Sequence, residues 1–380
     1  MDFALSEEEK LIQETAREFA QKKLFPRALE FDAEEKLDLN VIRDMGDMGF
    51  LGITIPEKYG GGGMNYLAYA LVLEQLAQGC SSHTAVVELT NSLYAGPILS
   101  YGTEEQKQKY LPGVASGEKL GAFALTEPNS GSDAAALETT ARQEGDSYVL
   151  NGTKIYATDG NLADFILTFA TVDKSKGYKG ITCFMVEKGT PGFSSGTLEK
   201  KMGFKASPTA ELYYQDVRVP KENIIGEMGK GFRIALDALD GGRISIGCQG
   251  LGIAQAAFNC ALKYAQERKQ FGKFLAQFQA IQFMLADMAV DISAARNLVY
   301  RSAYLKSNGK PYVLAASQAK LFATEMATRV THKAIQILGG YGYIRDYHVE
   351  RYYRDARVTE LFEGTSEIQR LVIARELLRD

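Results

Sequence analysis

The strand-forming segments of this 380-residue chain are confined to its middle third, and that clustering limits the fold more than any other feature. β-rich runs occur at Ser147–Leu150, Phe165–Thr171, Ile181–Val186, Glu211–Tyr214 and Val217–Val219, with Gly, Pro and Ser between them. A nicotinamide-binding Rossmann domain would alternate its strands with helices and carry a GxGxxG turn after a strand. Neither pattern is present. Asn151-Gly152 stands between the runs Ser147–Leu150 and Thr153–Tyr156, and that dipeptide predicts a hairpin turn.

On both sides of this stretch the periodicity is helical. Ser6 followed by Glu9 predicts a capping box, after which Ile12, Ala16 and Phe19 recur at helical spacing. Thr103 with Gln106 predicts a second helix start, and Leu67–Leu76 and Ser82–Leu99 read as apolar helices. Toward the C-terminus, Ile253–Ala265, Gln279–Tyr304 and Val313–Leu338 are Ala-rich, amphipathic and nearly free of breakers. Three units are expected: helical over 1–120, β over 121–230, and helical over 231–380.

The net charge of −4 gives no reason to expect nucleic acid or an anionic membrane surface as a partner. No apolar run approaches the ~18 residues of a membrane span, and the N-terminus, Met1 to Ser6, does not look like a signal peptide. Cys80, Cys183, Cys248 and Cys260 are scattered, as reduced core residues of a cytoplasmic protein would be. His83, His332 and His348 lack metal-ligand spacing, so no metal site is expected and carboxylates become the favoured acid–base groups.

Phe123-Ala124-Leu125-Thr126-Glu127-Pro128-Asn129-Ser130-Gly131-Ser132-Asp133 is a loop of small and hydroxylated residues beside the β region. Its backbone N–H groups suit a ring carbonyl or a phosphate; alone, it would read as a polar turn. Downstream stand Tyr156-Ala157-Thr158, then Gln336-Ile337-Leu338-Gly339-Gly340-Tyr341-Gly342-Tyr343. These are followed by Arg351-Tyr352-Tyr353-Arg354-Asp355-Ala356-Arg357 and Glu363-Gly364-Thr365-Ser366-Glu367-Ile368-Gln369-Arg370. Taken in order, these segments resemble the acyl-CoA dehydrogenase family, over essentially the whole chain.

The resemblance implies an α+β multidomain fold: an N-terminal α-helical domain, a middle β-barrel-like domain and a C-terminal four-helix-bundle domain. It implies FAD as cofactor, held at its ring end by Phe123, Leu125, Thr126, Ser132, Tyr156 and Thr158. Ser132 would also lie near the substrate. Many relatives carry Trp where this chain has Tyr156, and the chain has no Trp. Arg268, Phe271, Gln279, Gln336, Gly339 and Gly340 would contact the adenosine-diphosphate half across a subunit boundary, with Thr365 and Glu367 as further cofactor contacts. A guanidinium suits a pyrophosphate because its planar fork makes two parallel hydrogen bonds. Without that context, Arg268 is a solvated helix-end charge.

Asp240-Gly241-Gly242-Arg243 matches the family's D-x-x-R, which contacts the CoA moiety, and also fits an i,i+3 ion pair within a helix. Removing the α-proton of a thioester requires a polarised carbonyl, a base on one face and a hydride acceptor on the other. By resemblance the base is Glu363, with Gly364 leaving room for the thioester. Some relatives place the base at the position of Gly242, which glycine cannot serve.

Glu88 stands where relatives line the acyl pocket, so it either faces the acyl group or points away from it. Thr84 replaces the Arg that holds a glutaryl tail, and Phe362 replaces a common Tyr before the base. The expected activity is FAD-dependent α,β-dehydrogenation of a short-chain or cyclic acyl-CoA, by a homotetramer that passes electrons to electron-transferring flavoprotein. One alternative is a ring-specific dehydrogenase (cyclohexane- or cyclohexene-carboxyl-CoA type) with Glu88 as an additional base. Another is a non-catalytic flavin- or CoA-binding member.

Overall fold

The computed structural model describes residues 5–379. Residues 1–4, most of the stretch read as unlike a signal peptide, lie outside the described residues, as does residue 380.

Helices α1 (Glu7–Phe19), α2 (Ala28–Glu34), α3 (Leu39–Asp47), α4 (Tyr66–Gly79), α5 (Ser81–Glu88), α6 (Ala95–Tyr101), α7 (Glu104–Tyr110) and α8 (Pro112–Ala115) open the chain. Both halves of the predicted capping boxes form, at Ser6/Glu9 and at Thr103/Gln106. Helix α4 is apolar on nearly every face, and such a helix must be enclosed. Its one buried carboxylate, Glu74, is satisfied by Arg296 at 2.8 Å and by the Tyr300 hydroxyl.

The helix expected over Ser82–Leu99 is interrupted by a π-helical turn at Leu89–Tyr94. Asn91 is buried inside it, where its Nδ2 donates to the carbonyls of Phe50 (3.0 Å) and Val87 (2.9 Å) and its Oδ1 accepts from Thr54 N (3.0 Å). Buried amide groups need such partners, and the widened turn lets Asn91 reach all of them. π turns of this kind are frequent at functional sites.

Strands β1 (Gly121–Ala124), β2 (Thr140–Glu144), β3 (Ser147–Thr158), β4 (Phe165–Thr171), β5 (Ile181–Glu187), β6 (Phe193–Leu198), β7 (Thr209–Pro220) and β8 (Ile224–Ile225) form one sheet. Its order is β6-β7-β3-β2-β4-β5-β8, with β1 parallel to β4. Side chains alternate between two cores. Ile166, Ala170, Phe184 and Val186 join a cluster drawn almost wholly from the sheet, so the sheet curls around it as a barrel does. Leu167, Phe169, Cys183 and Met185 face the other way, onto the N-terminal helices and Ile234.

The predicted Asn-Gly hairpin is corrected by the structure. Residues 147–158 form one continuous strand, and the tight turn lies at Gly145-Asp146, with Glu144 paired to Ser147. Asn151 instead locks a bulge in β7, donating to Asp216 Oδ1 and accepting from Asp216 N, both at 3.0 Å. A Cβ at Gly152 would come within 2.4 Å of Thr139 Oγ1, so glycine there serves close packing. The runs Glu211–Tyr214 and Val217–Val219 are the two halves of β7 on either side of this bulge.

The C-terminal part contains α9 (Gly231–Glu267), a short hairpin of β9 (Lys269–Gln270) and β10 (Lys273–Phe274), α10 (Gln279–Ser307), α11 (Val313–Leu338), α12 (His348–Thr359) and α13 (Ser366–Leu377). Helices α9, α10 and α11 pack along a seam of small residues such as Ala257, Ala295 and Ala323. Helix α4 lies against α9 and α10, so the two helical regions share one core. Among the described residues no helix is long and apolar enough to cross a membrane, no metal-binding cluster occurs, and all four cysteines are free.

Candidate active site

Residues 360–365 connect α12 to α13 in a tightly bonded loop. Phe362 N donates to Val358 O (3.1 Å), Ser366 N to Glu360 O (3.0 Å), and Thr365 caps α13 by accepting from Ile368 N (3.3 Å). Glu363 has φ +52°, a left-handed conformation that costs a non-glycine residue about 1 kcal/mol or more. Lys320, buried on α11, holds it there: its Nζ donates to Gly364 O at 2.7 Å and Thr359 O at 3.1 Å. Gln369 Nε2 adds a bond to Gly364 O at 2.9 Å.

The loop thus aims Glu363 at α9. A Cβ built on Gly242 would fall 1.9 Å from Glu363 Oε2. Gly242 therefore supplies the space that the carboxyl occupies. Oε2 is buried and has no hydrogen-bond partner.

Glu88 is only 4% exposed, and its carboxyl lies within hydrogen-bonding reach of Glu363. Both carboxyls lie against the Gly242–Ser245 turn of α9. Glu88 Oε1 accepts from Ser245 Oγ at 2.8 Å and from Ser92 Oγ. Burial pushes the Glu363 pKa well above the ordinary carboxylate range, and Glu88 pushes it further, against the weaker pull of Lys320 and Arg243. Lys320 is itself lowered to about 7 by burial, with Glu363 opposing.

Asp240 and Arg243 form the predicted ion pair within α9, and Arg243 Nη1 also lies 3.5 Å from Ser317 Oγ. Asp240 lines a cleft of about 410 Å³ together with Tyr66, Ser92, Lys306 and Tyr312. Ser92 therefore links this cleft to Glu88. Phe362 packs edge-on against Phe204, with ring centroids 5.8 Å apart.

A second group gathers on the sheet. Thr126 O accepts from Ile155 N at 2.9 Å, which brings the loop after β1 beside the end of β3. Lys154 Nζ, fully buried, donates to Leu125 O (3.0 Å) and Glu127 Oε1 (2.7 Å) and fixes the loop from beneath. Phe123 packs on Phe169 below it, and Ser132 is exposed. Tyr156 is 61% exposed at φ +56°, next to the partly exposed Thr158.

A third group lies at the far ends of α9 and α11. Arg268 sits over the Tyr341 ring at 5.7 Å and lines a cleft of about 460 Å³ with Tyr264, Gly339 and Gly340. A Cβ at Gly340 would meet no protein atom within 4 Å, so the chain's own packing does not require glycine there. The space remains open to a bound group. Gln279, Gln336 and Phe271, the last 93% exposed, do not line this cleft, and neither do Thr365 or the exposed Glu367.

Sequence reasoning missed Lys320, Ser245 and Ser92. Lys320 left one signal: a lone cation on the Ala316–Ala319–Ala323 face of an Ala-rich helix, where burial demands partners. The two serines gave none.

Three family descriptions match consecutive parts of the chain: acyl-CoA dehydrogenase N-terminal domain at 6–118, middle domain at 122–217 and C-terminal domain at 229–378. The chain is 50% identical over 379 residues to the short-chain specific acyl-CoA dehydrogenase of Clostridium acetobutylicum, covering 100% of both. It superposes on butyryl-CoA dehydrogenase from Megasphaera elsdenii with a TM-score of 0.98 and 48% identity, covering 100% of both chains. It also matches a chain from a structure of the electron transferring flavoprotein of Acidaminococcus fermentans, with a TM-score of 0.99, 51% identity and 100% of both chains covered. These similarities point to short linear acyl groups and give no support to the ring-specific alternative.

Proposed function

The chain belongs to the acyl-CoA dehydrogenase family, and on that premise we propose that it catalyses FAD-dependent α,β-dehydrogenation of a short-chain acyl-CoA, with Glu363 as the base. One observation carries the reading: a buried carboxyl oxygen without a partner, held by a strained loop in the space left by Gly242. A carboxyl with a buried oxygen that no protein donor reaches has its proton affinity raised toward the range where it can take a weakly acidic proton.

Phe123, Leu125, Thr126, Ser132, Tyr156 and Thr158 would hold the flavin end of FAD, and Thr365 and Glu367 would add contacts. Arg268, Phe271, Gln279, Gln336, Gly339 and Gly340 of a neighbouring subunit in a homotetramer would hold the adenosine-diphosphate half. Bound FAD supplies the hydride acceptor. Asp240 and Arg243 would bind the CoA moiety, Ser132 would touch it, and Gly364 gives the thioester access to Glu363. The backbone N–H at Glu363 would bind the thioester oxygen. Electron-transferring flavoprotein is the proposed electron acceptor, a reading supported by the match to a chain from such a structure.

The test is anaerobic bleaching of the purified yellow protein by butyryl-CoA, octanoyl-CoA and glutaryl-CoA. Butyryl-CoA should bleach it fastest, and glutaryl-CoA poorly, because Glu88 faces the pocket. Failure of every thioester to bleach the flavin would establish the non-catalytic alternative instead.

A further inference from the structure

Glu88 has no place in the chemistry above, yet it is the residue most closely engaged with Glu363. Four positions fix the geometry. Ser245 Oγ lies 2.8 Å from Glu88 Oε1 and 2.8 Å from Gly242 O, and Glu363 Oε2 sits in the space a Gly242 side chain would fill. Ser92, one turn beyond Glu88 across the π-helical turn, donates to the same Oε1. Two carboxyls, from α5 and from the loop before α13, therefore lie side by side, with Glu88 and Glu363 Oε2 buried.

We propose that Glu88 is a positioning residue that sets the proton affinity of the base: the two carboxyls share one proton, Ser92 and Ser245 hold the negative charge on Glu88, and Glu363 carries the proton until substrate enters. The proposal rests on Glu363 being the base. Like-charged carboxyls in contact cannot both ionise cheaply, so the proton stays on whichever is less well solvated by donors. Glu88 has two hydroxyl donors, and Glu363 Oε2 has none.

Other groups facing the pair do not cancel this bias. Tyr66 and Tyr69 on α4 and Cys248 on α9 are neutral, their pKa values raised by desolvation. Arg243 on α9 is committed to Asp240, and Lys320 on α11 to backbone carbonyls. During turnover the shared proton passes from Glu363 to Glu88, and the freed Glu363 carboxylate then accepts the α-proton. The pair begins with one proton and ends with two, and charge is conserved because the thioester gives up that proton.

The experiment is the pH dependence of the anaerobic flavin-reduction rate with butyryl-CoA for the intact protein, Glu88→Gln, Glu88→Asp and Glu363→Gln. Glu88→Gln has no second carboxylate to take the shared proton, so Glu363 must lose it to solvent first. The acid limb should therefore move to higher pH by about one unit or more, since one unit is a tenfold change in proton affinity. Glu88→Asp should fall between that variant and the intact protein. An acid limb at the same pH in Glu88→Gln, with Glu363→Gln inactive, overturns the inference and leaves the base assignment standing. Persistent reduction by Glu363→Gln overturns the base assignment itself.

If Glu88→Gln does not fold, infrared spectra of the intact protein still decide. A protonated-carboxyl band should persist above pH 7 and vanish in Glu363→Gln. Its absence from the intact protein overturns the proposal.

Discussion

Two glutamates, Glu127 buried and Glu363 with one carboxyl oxygen buried, each have a buried lysine close by and are treated in opposite ways. Glu127 accepts from Lys154 Nζ at 2.7 Å and from the amides of Glu138 (2.5 Å) and Thr139 (3.0 Å). Burial pushes its pKa up, but Lys154 and these donors hold it below the ordinary value. At Glu363 the lysine bonds not to the carboxyl but to two backbone carbonyls beside it. The same pair of residue types yields a scaffold in one place and a reactive group in the other. The outcome depends on whether the lysine's protons point at the carboxylate or at the chain that carries it.

The sharpest way to break that contrast is Glu363→Gln. It should reduce flavin reduction by butyryl-CoA roughly a thousandfold or more, within the range for loss of a general base. Its melting temperature should hold or rise, because a neutral amide ends the repulsion between two neighbouring carboxyls. A fall in stability with the rate preserved would mean that Glu363 is the structural member of the two.

Lys154→Met probes the opposite case. It leaves Glu127 buried without its counter-ion, which costs about 3–5 kcal/mol when a buried pair loses one partner. The melting temperature of the holoenzyme should drop sharply, and FAD should dissociate more readily because the Leu125–Thr126 loop loses its anchor. A shift below about 1 kcal/mol would show that the pair contributes little.

Much of this contrast was legible in the sequence, though only on one side. The base loop is a contiguous run from Leu361 to Arg370, so a linear motif displays it. The helical–β–helical order followed from periodicity, since the curled sheet and the long Ala-rich helices have different periods. The partners of the base were hidden because α4, α5, α9 and α11 assemble them from positions far apart in the chain. Ser245 and Lys320 are separated by 75 residues, yet one bonds the Glu88 carboxyl and the other the loop that carries Glu363. The Asn151-Gly152 hairpin was misread for a related reason. Its turn-forming residues serve a bulge whose cause, Asp216, lies on another strand.

Gly242→Ala tests the space on which the reactive site depends. The added methyl would fall 1.9 Å from Glu363 Oε2, so the carboxyl must move. We expect a ten- to hundredfold loss in the rate of flavin reduction, about 1.4–2.8 kcal/mol, with KM nearly unchanged. Gly241→Ala is the control. Its methyl meets the far end of Lys306, which can swing aside, so its rate should remain within about threefold of the parent. Equal effects at the two positions would mean that helix propensity, and not room for the base, explains both glycines.

Asp159 sharpens the comparison from a third direction, as a buried acid bonded to no lysine at all. Both its carboxyl oxygens are buried without partners, and burial pushes its pKa up to about 7 against a weaker pull from Lys201. In the unfolded chain an aspartate ionises near 4. Between pH 4 and pH 7 the folded state therefore keeps a proton that the unfolded state has lost, so stability falls as pH rises through that window and levels off above it. Asp159→Asn removes the titration. Its gain in stability should be close to zero at pH 4, grow toward pH 7 and stay flat at pH 8, reaching up to about 4 kcal/mol for a pKa raised from about 4 to about 7. A gain independent of pH would instead mean that Asp159 is bonded through water. It would then belong with Glu127 among the satisfied acids, leaving Glu363 with Glu88 as the place where the fold holds carboxyls in strained proximity.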